Sequence, residues 1–153
     1  MDLYLLLKWL HVISATLLFG TGLGSAFYMW RAYRGGGSAV LAAVAREVVR
    51  ADWIFTTPAV VLQPLSGLGL AATAGYTFDQ LWLWLSLALY VAVGVFWIPV
   101  VFIQIRVRDL AAMAAPGPLP VSVHRLMGWW YRLGWPAFLL VIAIMGLMIW
   151  RPV

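Results

Sequence analysis

Four long apolar runs organise the chain, each closed by charged residues or by glycine and proline. Spans at about 3–33, 53–74, 81–105 and 127–150 each hold the roughly 20 apolar residues that a helix needs to cross a bilayer. No stretch sustains the apolar–polar alternation of period two that marks a half-buried strand. The pattern predicts an all-α bundle of four transmembrane helices, a single integral membrane domain over residues 1–153. Pro58, Pro64, Pro99 and Pro136 fall inside the second, third and fourth spans, so kinks are expected there, with freed carbonyls that neighbouring groups must satisfy.

The breaks between runs refine this picture. Arg31 and Arg34 end the first span, and Gly35-Gly36-Gly37-Ser38 reads as a flexible linker with Ser38 as the next N-cap. Residues 39–52 read as a helix outside the hydrocarbon, carrying Arg46, Glu47 and Arg50, with Asp52 and Arg50 expected to form interfacial pairs. Residues 75–79 make a short loop without positive charge, the third segment starts near Phe78, and 115–120 is a stiff, proline-rich loop. On the first span, Thr16, Gly20 and Gly24 repeat every four residues beside Gly22, Ser25 and Ala26. That small face invites close approach of another backbone, from within the chain or from a second copy in a homodimer.

Composition agrees with membrane residence: 65% of residues are apolar, 10% are charged, and there are ten tryptophans. The apolar run at the N-terminus is too long for a cleavable signal and ends without a small-residue cleavage site. The net charge of +5 does not point to nucleic acid, because the basic residues sit at helix ends between apolar spans. Arg31, Arg34, Arg46, Arg50, Arg106, Arg108 and Arg125 flank the first and third loops, so the positive-inside rule puts both termini outside. With no cysteine, thiol chemistry and disulfides are excluded.

Candidate chemistry then narrows to one layer. His11 is one of two histidines, and it lies roughly 10 Å inside the outer boundary at ~1.5 Å per residue. Lys8, one turn nearer the surface, can snorkel. Met145, Trp84 and Ser86 reach similar depth, and Gln63 lies one or two turns deeper. His124 is ~30 Å away along the axis and cannot join them. A neutral imidazole buried in a bundle suits the iron of haem b, with Met145 as second ligand and Lys8 near the propionates. The alternative is structural: His11 hydrogen-bonds Gln63 or a threonine across helices, Lys8 anchors at the interface, and the protein is a haem-free scaffold or assembly subunit. A small transporter built on the polar, proline-containing second span, with Thr56, Thr57 and Gln63 lining a path, is a third reading. The Gly20-Thr-Gly22-Leu-Gly24 run is no nucleotide loop, since no strand precedes it, and no hydrolytic triad, zinc cluster or acid pair is present.

Read end to end, the chain resembles the HemJ-type protoporphyrinogen oxidases, small bacterial membrane proteins that bind haem b. It is similar also to a sister family of four-span membrane proteins of unknown function. The likeness rests on Leu7-Lys8-Trp9-Leu10-His11-Val12-Ile13, on the stretch through Arg46 and Arg50 to Thr57-Pro58-Ala59 and Gly67, and on Pro136 with Trp150-Arg151-Pro152. It implies a bacterial inner-membrane protein with His11 as haem ligand, serving electron transfer or a redox-linked complex with a quinone or a redox protein. The departures bear on activity. Residues 81–102 hold Ser86 and Tyr90 but none of the lysine and histidine of the family's third helix, and Gly134-Trp135 replaces its Asn-Glu pair. Oxidase activity is therefore not carried over with the ligand.

Overall fold

The computed structural model describes residues 2–77 and 80–151. The expected start of the third segment at Phe78, the loop end at Asp79 and the closing Pro152 lie outside these residues. Helix α1 spans Leu3–Gly35, α2 Gly37–Ala51, α3 Thr57–Thr73, α4 Leu81–Ala114 and α5 Val121–Trp150. A π-helical turn, Asp52–Thr56, joins α2 to α3, so that residues 37–73 form one continuous helix. Among the described residues this makes four helices long and apolar enough to span a membrane, and no strand.

Local chemistry sets the helix boundaries. The Asp2 carboxylate accepts from the Tyr4 N–H at 3.0 Å and caps α1, whose 33 residues run ~50 Å, well beyond the ~30 Å of hydrocarbon. The α1–α2 junction is tighter than the expected flexible linker, because Gly36 alone separates the two helices. A Cβ on Gly36 would lie 2.6 Å from Val40 Cγ1 and 2.8 Å from the Ala32 carbonyl oxygen, and Gly37 restarts the chain with φ +67°. Only glycine satisfies both demands without strain. Ser38 is consequently inside α2 and does not cap it; its hydroxyl donates to the Gly117 carbonyl at 2.7 Å and ties the first connection to the third.

The π turn has a local cause. Pro58 has no N–H for the Ile54 carbonyl, and its ring crowds that oxygen. The widened turn just before it, closed by the Thr57 N–H on the Asp52 carbonyl, absorbs the conflict. The expected pairing of Asp52 with Arg50 does not occur. Residues two apart on a helix do not face each other; Arg50 bonds Glu47 at 2.8 Å, while Asp52 turns inward, 4% exposed, and accepts from the Thr56 hydroxyl at 2.9 Å. Helices α3, α4 and α5 continue through Pro64, Pro99 and Pro136.

Helix α1 packs on α3 and α2, α2 on α4, and α4 on α5. The main core sits at the arginine-rich end, around the fully buried Met29, Leu41, Val107, Val123 and Met127. A smaller one at the opposite end gathers Ala71, Trp82 and Leu83 with Tyr76 and Met148. Elsewhere large apolar side chains face outward, among them Trp9, Phe27, Leu65, Val91 and Phe102, an exterior that suits lipid and not water. The chain is therefore a multi-pass integral membrane protein.

The small face of α1 is not what brings the helices of this chain together. A Cβ added at Gly20, Gly22 or Gly24 would meet nothing within 4 Å. Close approach occurs instead on α3, where a Cβ on Gly67 would lie 3.0 Å from His11 Cε1 and one on Gly69 would lie 3.1 Å from Leu7 Cδ1. These two glycines receive the α1 side chains that matter for the site.

Candidate functional site around His11

The site begins with two polar pairs at helical spacing, His11 and Ser14 on α1, and Gln63 and Ser66 on α3. Residues three apart share a helix face, so each pair presents two polar groups to the facing helix. Close packing at Gly67 brings the pairs into contact. His11 Nδ1 lies 3.2 Å from the Gln63 carbonyl oxygen and 3.0 Å from the Ser66 hydroxyl, and Nε2 lies 3.1 Å from the Gln63 amide nitrogen. The Ser14 hydroxyl, buried in the interface, bonds both the Gln63 side-chain oxygen and the His11 carbonyl.

This network assigns the tautomer. A backbone carbonyl cannot donate, so Nδ1 carries a proton, and the Gln63 amide, whose oxygen takes the Ser14 hydroxyl, donates to the Nε2 lone pair. Ser66 can accept from Nδ1 because its own hydrogen goes to the Leu62 carbonyl at 2.6 Å. A ring with a fixed orientation results.

Next to the network is a cavity of about 270 Å³ between α1, α3, α4 and α5. His11, Gln63, Ser86 and Tyr90 line its inner part, while Lys8, Tyr76, Trp82 and Arg151 also contribute to its wall. Lys8 is exposed, with Nζ 6.0 Å from the Tyr4 ring centre. Arg151 lies over the rings of Tyr76 and Trp82 at 5.4 and 5.6 Å and donates to the Tyr76 hydroxyl. Two cations and two aromatic walls thus accompany a cavity whose lining is otherwise mostly apolar.

Of the residues expected in this layer, Lys8, His11, Gln63 and Ser86 come together at the cavity. Met145 does not line it and is 44% exposed. The cavity face of α5 is formed by Ile144 and Met148, four residues apart, and Met145 is turned about 100° from Ile144. Trp84 faces outward, and Trp82 takes the inner position. His124 is remote from the cavity, exposed, with Nδ1 2.8 Å from the Tyr33 hydroxyl. Sequence reasoning passed over Ser14, Ser66 and Arg151 as site members. The i, i+3 repetition of polar residues on both helices was the available signal for the two serines.

Among the described residues no three His, Asp or Glu side chains cluster as a metal site. No curated protein and no solved structure matches the chain. One family does, over residues 5–152, described as predicted integral membrane protein (DUF2269). The match takes in all four spanning helices and the whole His11 network, and the chain belongs to that family of integral membrane proteins.

Proposed function

We propose that the cavity beside His11 holds haem b, with His11 Nε2 as axial ligand, and that the protein serves one-electron transfer or a redox-linked complex in the bacterial inner membrane. The observation that carries this reading is the hydrogen bond from Nδ1 to a backbone carbonyl, which leaves Nε2 as the coordinating atom. Histidines that bind metals are held by this second contact, which fixes the ring and raises its basicity. Lys8 and Arg151, both on the cavity wall, supply the charges that two propionates require, and Tyr76 and Trp82 provide flat apolar walls. When bound, the haem supplies reversible one-electron chemistry; the chain orients the ring, excludes water and neutralises the carboxylates.

The donor set fits one axial bond. At about 270 Å³ the cavity is smaller than the ~300–1,000 Å³ usual for ligand sites, so a macrocycle would need its lining side chains to move apart, Gln63 beside Nε2 among them. Met148 lines the cavity where Met145 does not, and it is the methionine that would touch a group bound there. In this reading the termini and the His11 cavity face outside, the arginine-rich loops face the cytoplasm, and the electron partner is a quinone or a redox protein. The HemJ-type likeness of residues 7–13 supports the ligand and carries no oxidase activity with it.

A second reading rests on the same hydrogen bonds. Every polar atom of the His11 ring already has a partner on α3, which suits a haem-free scaffold in which His11 is an interhelical clamp. The visible spectrum of detergent-purified protein from haem-replete cells, oxidised and dithionite-reduced, decides between them. The haem reading expects a Soret band that is lost in His11→Ala. A colourless wild type establishes the clamp instead, and a band unchanged in His11→Ala removes His11 as ligand.

A further inference from the structure

A second recess lies away from the His11 cavity, where α2 meets α4. It measures about 460 Å³ and is lined by Arg46, Val49, Arg50, Trp53, Ile54 and Arg108. Three guanidiniums from two helices converge there beside an exposed tryptophan and isoleucine, each 62% accessible. Arg46 and Arg50 stand one turn apart, and the packing of α2 on α4 brings Arg108 to the same recess.

The nearby carboxylates leave donors free. Arg50 spends one nitrogen on Glu47, and Arg108 spends Nε and Nη2 on a single oxygen of Asp109, each contact at 2.8 Å. Neither Glu47 nor Asp109 lines the recess, and Arg46 has no ion pair among the described residues. The carboxylates therefore position two guanidiniums whose remaining N–H groups are available. A guanidinium fork matches a phosphate oxygen pair, and basic pockets beside transmembrane helices commonly take anionic head groups.

We infer that this recess is a binding site for a phosphate group, held by Arg46, Arg50 and Arg108, with Trp53 and Ile54 receiving whatever apolar chain it carries. The ligand is an anionic phospholipid head group or a free phosphate; the chemistry at the guanidiniums is the same. The inference is independent of haem and of His11.

Native mass spectrometry of the full chain tests it. Protein in neutral detergent is offered phosphatidylglycerol, phosphatidylcholine or inorganic phosphate. Each is measured against wild type, Arg46→Gln/Arg108→Gln, and Arg31→Gln/Arg125→Gln, which removes the same charge elsewhere. The expected result is retention of phosphatidylglycerol over phosphatidylcholine, reduced about tenfold or more in the recess variant and unchanged in the control. Retained lipid that resists millimolar phosphate identifies the head group; phosphate that binds alone and displaces it identifies free phosphate, and either supports the site. Equal loss in both variants, or no loss in the recess variant, overturns it by reducing the effect to diffuse surface charge. An unfolded recess variant is recognised by lost helical circular dichroism, and Trp53→Ala then serves in its place, expected to weaken phosphatidylglycerol and spare inorganic phosphate. Loss of neither ligand in folded Trp53→Ala, alongside unaltered binding in Arg50→Gln, equally overturns the site.

Discussion

The Tyr90 hydroxyl on α4 donates to the Val60 carbonyl on α3 at 2.6 Å, and Val60 is the residue whose carbonyl Pro64 leaves without its helical partner. A proline on one helix is thus repaired by a side chain from another. In the bilayer no water stands ready to take that role. Tyr90→Phe should cost about 1–3 kcal/mol by leaving the carbonyl unpaired. Pro64→Ala restores the N–H that Val60 lacks, so in that background Tyr90→Phe should cost much less. Thermal unfolding of the four proteins of this cycle in one detergent measures the coupling. Additive losses would show that the hydroxyl does not compensate for the proline.

Gly67→Ala tests the contact that seats His11. The added Cβ would lie 3.0 Å from a ring held by three hydrogen bonds, which leaves little room to yield. Overpacking costs of about 1–3 kcal/mol exceed the ~1 kcal/mol gained by replacing a helical glycine. The variant should melt lower than wild type. Gly94→Ala, where a Cβ meets nothing within 4 Å, should melt at or above it.

Gln63→Leu separates the two readings of His11 by sign. The substitution removes the amide beside Nε2 and keeps the backbone carbonyl on Nδ1. If Nε2 coordinates iron, the Soret absorbance per protein should rise or hold. With His11 as a clamp only, the preparation stays colourless and loses about 1–3 kcal/mol of stability through the unpaired ring nitrogen.

Orientation can be read directly because the chain contains no cysteine. Gly35→Cys, at a position where a Cβ meets nothing, should resist an impermeant thiol reagent in intact cells. Thr77→Cys, in the connection at the opposite end, should react. The reverse pattern would invert the proposed topology and put the His11 cavity on the cytoplasmic side.

The spans were legible because run length alone decides whether a helix can cross a bilayer, and Leu81–Ala114 and Val121–Trp150 each hold an apolar stretch long enough, with charged residues confined to one end. That His11, Lys8 and Gln63 lie toward one end of the bundle was legible because rise per residue is fixed, but Gln63, expected one or two turns deeper than His11, meets its ring directly. Rotation about each axis was not legible. A helix whose lipid face is as apolar as its packed face gives no stripe from which to read direction. Met145 and Met148 are therefore alike in sequence although only Met148 lines the cavity. The small face of α1 carries no direction either: it signals that approach is allowed, while Gly67 and Gly69 show where it happens within the chain. Tyr90 illustrates a third limit, because its partner is a vacancy created by a proline on another helix.

The π turn at Asp52–Thr56 sets the rotation of α3 relative to α2 within residues 37–73. Counted at regular spacing, Leu41, Ala45, Val48, Ala59, Gln63 and Ser66 would fall on one side of a single cylinder. The wide turn consumes one surplus residue and sets the second half back by roughly a quarter of a revolution. Helix α2 accordingly packs on α4 as well as α1, and α3 packs on α1, where Gln63 and Ser66 find His11. The azimuth of α3 is that of an uninterrupted helix one residue shorter. Residues 52–56 are hence the place where this span could lose a residue with Gln63 still aimed at His11; a deletion between there and Gln63 would swing the polar pair away from its histidine.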